Sequence, residues 1–185
     1  MLLVTELARL VLLHSLKPGD WVVDATVGNG HDTHWLAERV GPTGAVFGFD
    51  IQAAAVSQAR ARLEGMQHVT FFHSGHEQMA EHLPAAARHH LAAVMFNLGY
   101  LPGAPKDTIT RAETTIAAVQ LAADYLQIGG KITLVLYPGH PGGDAEAVAV
   151  RAFAQGLPAP LAATHCGRIN ATQLAPELIL IERLK

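Results

Sequence analysis

A few side chains in this sequence have the type and spacing to do chemistry. Asp24 opens the stretch Asp24-Ala25-Thr26-Val27-Gly28-Asn29-Gly30-His31-Asp32-Thr33. Glycines one residue apart let a ligand approach the backbone closely and permit positive φ in a turn. The dinucleotide fingerprint G-x-G-x-x-G would put a third glycine where Thr33 stands. No Lys-Ser/Thr pair follows Gly30, so the stretch is not a phosphate-cradling P-loop. A carboxylate at Asp24 would repel a pyrophosphate and attract a ligand with cationic groups. The same residues also suit an ordinary βα turn with a helix-capping Asp. A second carboxylate, Asp50, ends the run Ala45-Val46-Phe47-Gly48-Phe49. An acidic residue at the end of a second strand accepts hydrogen bonds from ribose hydroxyls. Phe96-Asn97-Leu98-Gly99-Tyr100 is a third candidate. A side-chain carbonyl at Asn97 and a backbone carbonyl at Leu98 can accept the N–H groups of an amine and aim its lone pair. Tyr100 can stack on a base. A buried helix-capping Asn beside a core Tyr would look the same in sequence.

These residues need a scaffold that brings the three stretches together. Val22–Asp24 is an apolar, β-branched run that ends at the glycine turn, and a helical pattern then runs to Val40. Gly41-Pro42-Thr43-Gly44 turns the chain into a second strand, Ala45 to Asp50. The spacing from Asp24 to Asp50 leaves room for one helix and one turn, a βαβ unit. The pattern predicts a helix over Gln52–Glu64, a strand over Val69–Phe72, a short helix from Met79 broken at Pro84, and a fourth strand over Ala92–Asn97. Thr110-x-x-Glu113 reads as a capping box opening a helix to Gln127, stopped by Gly129-Gly130. A fifth strand over Lys131–Tyr137, a helix over Asp144–Gln155 with an Asp cap, and closing strands near 161–166 and 178–182 complete the order. Strands alternate with helices and no linker or repeat intervenes. The expectation is α/β: one doubly wound, mostly parallel, seven-stranded domain over residues 1–185, with helices on both faces. Its chemistry belongs at the C-terminal strand ends, where the Gly28–Thr33, Asn97–Asp107 and Pro138–Gly143 loops converge.

Composition narrows the function classes. Half of the 185 residues are hydrophobic and charged residues make up 16%, a globular balance rather than a disordered one. The single cysteine, Cys166, excludes an intramolecular disulfide and points to a reducing compartment. Glu6 and Arg9 interrupt the apolar N-terminus, which reads as a packing helix with Leu3, Leu7, Leu10, Val11 and His14 on one face, not as a signal peptide. No apolar run is long enough to span a bilayer, so a cytoplasmic protein with no membrane partner is expected. The net charge of −3 does not by itself suggest nucleic-acid binding. His31-x-x-His34 and His73-x-x-His76 lack a third ligand at zinc spacing, so no metal site is expected.

The pattern at Asp24–Thr33 resembles the first motif of Rossmann-like class I methyltransferases, whose cofactor S-adenosylmethionine (SAM) carries an ammonium and a sulfonium. Asn97-Leu98-Gly99-Tyr100 resembles the Asn/Asp-Pro-Pro-Tyr tetrad of amino-group methyltransferases, with Leu-Gly in place of Pro-Pro. Together with Phe49-Asp50-Ile51-Gln52, Leu101-Pro102-Gly103, Thr114-Thr115 and Tyr137-Pro138-Gly139-His140-x-Gly142-Gly143, these segments resemble a family of small bacterial methyltransferases known as rRNA methylases. Members methylate the 5-aminomethyl group of the tRNA wobble uridine. The chain departs from the family's pattern at Ala104-Pro105-Lys106-Asp107 and in Arg168–Gln173.

The resemblance implies a SAM-dependent N-methyltransferase acting on tRNA at the anticodon. Methylation of rRNA or a small amine, and a non-catalytic SAM- or nucleoside-binding module, are the alternatives. It implies a cofactor site from Asp24, Thr26, Gly28, Asn29, Gly30, Asp32, Thr33, Asp50, Ile51, Gln52, His76, Asn97 and Gly99. Asn97, Leu98 and Tyr100 would be catalytic. Tyr100, Lys106, Asp107, Arg111, Tyr137, His140, Gly142 and Gly143 would bind substrate. Asn97 cannot take up a proton near neutral pH, so the amine must arrive neutral or lose its proton to water or to a group such as His140. A compact chain with no RNA-binding appendage suggests a homodimer.

Overall fold

A computed structural model describes residues 3–99, 110–139, 142–171 and 173–185. Helix α1 spans Val4–Leu13, and strand β1 (Trp21–Asp24) leads through the glycine turn into α2 (His31–Val40). Then follow β2 (Ala45–Asp50), α3 (Ala53–Arg62) and β3 (Val69–His73). After a 3-10 turn come the short α4 (Met79–His82), β4 (Leu91–Asn97), α5 (Ala112–Tyr125), β5 (Leu126–Leu136) and α6 (Gly143–Gln155). Strands β6 (Leu161–Cys166) and β7 (Glu177–Arg183) close the chain.

The strands form one seven-stranded sheet in the order β3-β2-β1-β4-β5-β7-β6. β1 pairs in parallel with both β2 and β4, while β7 is antiparallel to β5 and β6. This is the doubly wound class I methyltransferase architecture with helices on both faces. The order reverses between β1 and β4, which opens a crevice at their C-terminal ends.

Alternation along the strands divides the core in two. Val23, Phe47, Phe49, Val94, Phe96, Ile132 and Leu134 pack on one face with Met79 of α4, Ala118 and Ala122 of α5, and Ala147 and Val150 of α6. Val22, Val46, Ala93, Met95 and Val135 pack on the other with Ala8 and Leu12 of α1, Leu36 of α2 and Val56 of α3. β1 and β4 are buried on both faces, which is why they read as nearly unbroken apolar runs.

Four local expectations change. The buried face of α1 is Ala8 and Leu12, whereas Leu3 and Leu10 are exposed. The face is set by what lies above β5 and β7, not by the most apolar stripe. Thr110 caps nothing: α5 begins at Ala112 with Arg111 at its N-cap and no side-chain cap, because the Thr110 hydroxyl has a buried carboxylate as partner. Gly129 and Gly130 lie inside β5, and α5 already ends at Tyr125. The pairing of β4 with β5 is irregular at this point, and the glycines accommodate it. Gly142, with φ of 85°, rather than Asp144, takes the N-cap of α6.

Candidate active site

The glycine turn is shaped by packing as much as by ligand access. Gly28 and Gly30 both have positive φ. A Cβ on Gly30 would come within 2.9 Å of the Ala59 Cβ on α3, so only glycine lets α2 start this close to its neighbour. Thr33, in the place of the third fingerprint glycine, is fully buried and donates its hydroxyl to Asp24 Oδ2 at 2.5 Å.

Asp24 was expected to face a cationic ligand. It does not line the cavity. It lies beneath the turn, almost fully buried, and accepts the Thr26 N–H at 3.1 Å on its other oxygen. Burial, and then the charge of Asp32, push its carboxyl up to about 7. Asp32 and Asp50 are the carboxylates that line the cavity. Asp50 accepts the Gly28 N–H on one oxygen and the Gln52 N–H on the other, both at 2.8 Å, so the turn, the strand end and the carboxylate are locked together. Each oxygen keeps a lone pair for a further donor.

The cavity occupies about 560 Å³ at the crevice. The glycine turn contributes Thr26, Gly28 and Asn29, α2 contributes Asp32, and the end of β2 contributes Asp50, Ile51 and Gln52. His76 enters from the 3-10 turn after β3, Asn97, Leu98 and Gly99 from the end of β4, and Tyr137 from the end of β5. Asp24, Gly30, Thr33, Arg111, Gly142 and Gly143 do not line it. Tyr100, Lys106, Asp107 and His140 lie outside the described residues.

His76 is buried, and its imidazole pKa is lowered by that burial. The ring is therefore neutral. Nδ1 lies 3.1 Å from the Ala25 carbonyl, which can only accept, so Nδ1 carries the proton and Nε2 is an acceptor. Nε2 is buried with no protein partner among the described residues. Asn97 also lines the cavity and is held by the glycine turn and α2. Its backbone N–H donates to the Thr26 hydroxyl at 2.7 Å, and its side-chain Nδ2 lies 3.5 Å from Asp32 Oδ2. Tyr137 has its phenol pKa raised by burial and by the charge of Asp32.

Five contributors were not foreseen. Thr110 lines the cavity and ties the two ends of the 99–110 segment, accepting the Gly99 N–H at 3.1 Å and donating to Glu146 at 2.7 Å. Glu146 is buried in α6 and also accepts the Thr115 hydroxyl at 2.8 Å. Its sequence signal is a carboxylate four residues before Val150 on the apolar face of α6. Arg9 of α1 pairs with Asp32 at 2.7 Å. Leu174 and Pro176 add an apolar wall from the segment before β7. Among the described residues no group of histidine, cysteine and carboxylates is arranged to hold a metal.

A sequence profile of the family described as "Putative rRNA methylase" matches residues 46–182, most of the chain. The chain belongs to this family. It is 41% identical over 165 residues to the tRNA (mnm(5)s(2)U34)-methyltransferase, chloroplastic, of Arabidopsis thaliana. That match covers 83% of this chain and 60% of the plant protein, so the chain spans well under two thirds of that relative's length. The structure of a "putative rRNA-methylase" from Clostridium thermocellum superposes with a TM-score of 0.94 at 37% identity, covering 100% of this chain and 99% of that one. A "putative methyltransferase" from Streptococcus mutans, solved in complex with SAH, superposes with a TM-score of 0.88 at 30% identity over 100% and 99% of the two chains.

Proposed function

We propose that this chain is a SAM-dependent N-methyltransferase of RNA, working as one domain over residues 1–185. Its acceptor would be the 5-aminomethyl group of the tRNA wobble uridine, which becomes 5-methylaminomethyl. The observation that carries this reading is that one cavity holds both halves of the reaction. The glycine turn, Asp50 and Asn97 all line it.

The cofactor half fits the residues present. Asp50 keeps free lone pairs for two ribose hydroxyls. The buried Nε2 of His76, an acceptor without a protein partner among the described residues, suits the exocyclic amine of adenine. Ile51, about half exposed at the cavity edge, suits the face of the base. When bound, SAM supplies an electrophilic methyl carbon on a sulfonium. On the acceptor half, the Asn97 carbonyl takes an amine N–H and turns the nitrogen lone pair toward that carbon. Transfer would leave the sulfur with the C–S bonding pair, and the one proton lost would leave the acceptor nitrogen before it attacks, so the residues around Asn97 need only orient a neutral amine. An aliphatic amine with a pKa of about 10.4, as in lysine, is mostly protonated near neutral pH. The rate should therefore climb with pH until the bound amine is neutral.

The name of the Arabidopsis relative specifies tRNA, while the family and the Clostridium structure are named for rRNA, and the anticodon region is the part of tRNA this acceptor specifies. A cytoplasmic homodimer belongs to the same reading. The test is methyl transfer from SAM to three acceptors: tRNA carrying 5-aminomethyluridine, rRNA and free small amines, each read by nucleoside or amine mass spectrometry. The wobble nucleoside alone should gain one methyl, and Asn97→Ala should lower kcat strongly while SAM affinity changes little. Transfer to rRNA or to free amines at a higher kcat/KM would replace the acceptor. SAM binding with no transfer to any of the three would leave a binding module.

A further inference from the structure

The Asn97 amide can face two ways, and only one serves an amine acceptor. With Oδ1 toward the acceptor, it accepts an N–H. With Nδ2 toward the acceptor, it would donate into the lone pair that must attack. A carboxylate only accepts, so Asp32 Oδ2, 3.5 Å from Nδ2, selects the first arrangement. Asp32 is itself held from outside the motif. Its Oδ1 accepts the Arg9 Nε–H at 2.8 Å and lies 2.7 Å from Nη2. The Arg9 guanidinium also sits 5.9 Å from the centre of the Trp35 ring, one turn after Asp32 on α2. The guanidinium is therefore held by two side chains of the helix that carries Asp32.

We propose that Arg9 is a positioning residue for methyl transfer, acting through Asp32 to orient the Asn97 amide and to offset the Asp32 charge beside the acceptor amine. This rests on the acceptor reading above. An unpaired carboxylate at this place would favour the ammonium form of the acceptor, which cannot attack. Among the described residues, the other titratable groups around the cavity do not supply this compensation. Asp24 and Asp50 are acidic. His76 and Tyr137 are held neutral by burial. His31 is exposed and turned to Arg62. Arg9 is the cation paired with Asp32.

The test compares Arg9→Gln with Arg9→Lys by calorimetry and by single-turnover pH–rate profiles at saturating SAM. Arg9→Gln should lower the rate near neutral pH by about tenfold and move the rising limb up by about one pH unit. The ratio of SAM to SAH affinity should rise, because only the sulfonium gains from an uncompensated carboxylate. Arg9→Lys keeps the charge and should return both the limb and the ratio toward wild type. If Arg9→Gln has the wild-type limb and the wild-type ratio, whatever its rate or melting temperature, Arg9 only docks α1 on α2 and the proposal is overturned. The affinity ratio involves no RNA. A raised ratio in a protein whose wild type leaves aminomethyl tRNA untouched would sink the acceptor assignment while supporting the pairing of Arg9 with Asp32.

Discussion

Asp24 spends a carboxylate on architecture. It ties the glycine turn to Thr33 of α2, and its neighbours offer hydrogen bonds but no cation. Its pKa rises from 3.8 to about 7 on folding. Between these values the folded protein binds a proton at Asp24 that the unfolded chain has already released. Stability from this group is thus complete below the lower value and is lost as pH rises through the upper one. The drop should amount to a few kcal/mol. Asp24→Asn can still accept from Thr26 and can pair with the Thr33 hydroxyl, but it does not titrate. Denaturant unfolding from pH 4 to pH 8 should show the wild type losing stability more steeply than Asp24→Asn. Parallel curves would mean that Asp24 is ionised in the fold throughout.

Elements meet at the site through close approaches that only certain residues permit. α2 starts against α3 at Gly30, where a Cβ would lie 2.9 Å from Ala59 Cβ and 3.1 Å from its Cα at a φ of +77°. Gly65, after α3, also has a positive φ, at +89°, but nothing lies within 4 Å of its missing Cβ. Gly65→Ala carries conformational strain alone, of order 1–2 kcal/mol. Gly30→Ala carries strain and overpacking, and should lose roughly 1–3 kcal/mol more. Thermal unfolding of the two variants checks this, and equal losses would show that α3 yields at no cost. Gly99 and Thr110 are joined on a comparable principle. The buried carboxylate of Glu146 fixes the Thr110 hydroxyl, and Thr110 fixes Gly99, two residues after Asn97.

At the scale of the molecule, a net charge of −3 means that the proposed RNA binding cannot rest on the overall field. It must come from cations placed near the crevice. Arg111 is exposed at the start of α5, next to the cavity residue Thr110, and Arg168 lines a second groove that shares Leu174 with the cavity. Neutralising a cation that meets a phosphate should reduce the salt slope of tRNA affinity by about one. Arg111→Gln and Arg168→Gln, measured by filter binding across a salt series, should each show that reduction. Unchanged slopes in both would move the RNA path elsewhere on the surface. Among the described residues no helix is long and apolar enough to cross a membrane.

Much of this was already determined by local sequence. The apolar runs of β1, β2 and β4 and the glycine turn reflect neighbours close in sequence, so the strands themselves, the doubly wound class and the place of the crevice were legible. The same holds for Asp50 and Asn97, which end their strands and therefore had to reach the C-terminal edge of the sheet. Tertiary structure decided what depends on distant partners. Asp24 turned away from the cavity because Thr33 came to lie above it. The α5 cap did not form because Thr110 found Glu146, 36 residues away. Arg9 reached Asp32 across 23 residues, and Asp32 reached Asn97 across 65. No periodicity encodes such pairs. A buried carboxylate takes whichever donors the packed elements bring to it, and only packing decides which those are.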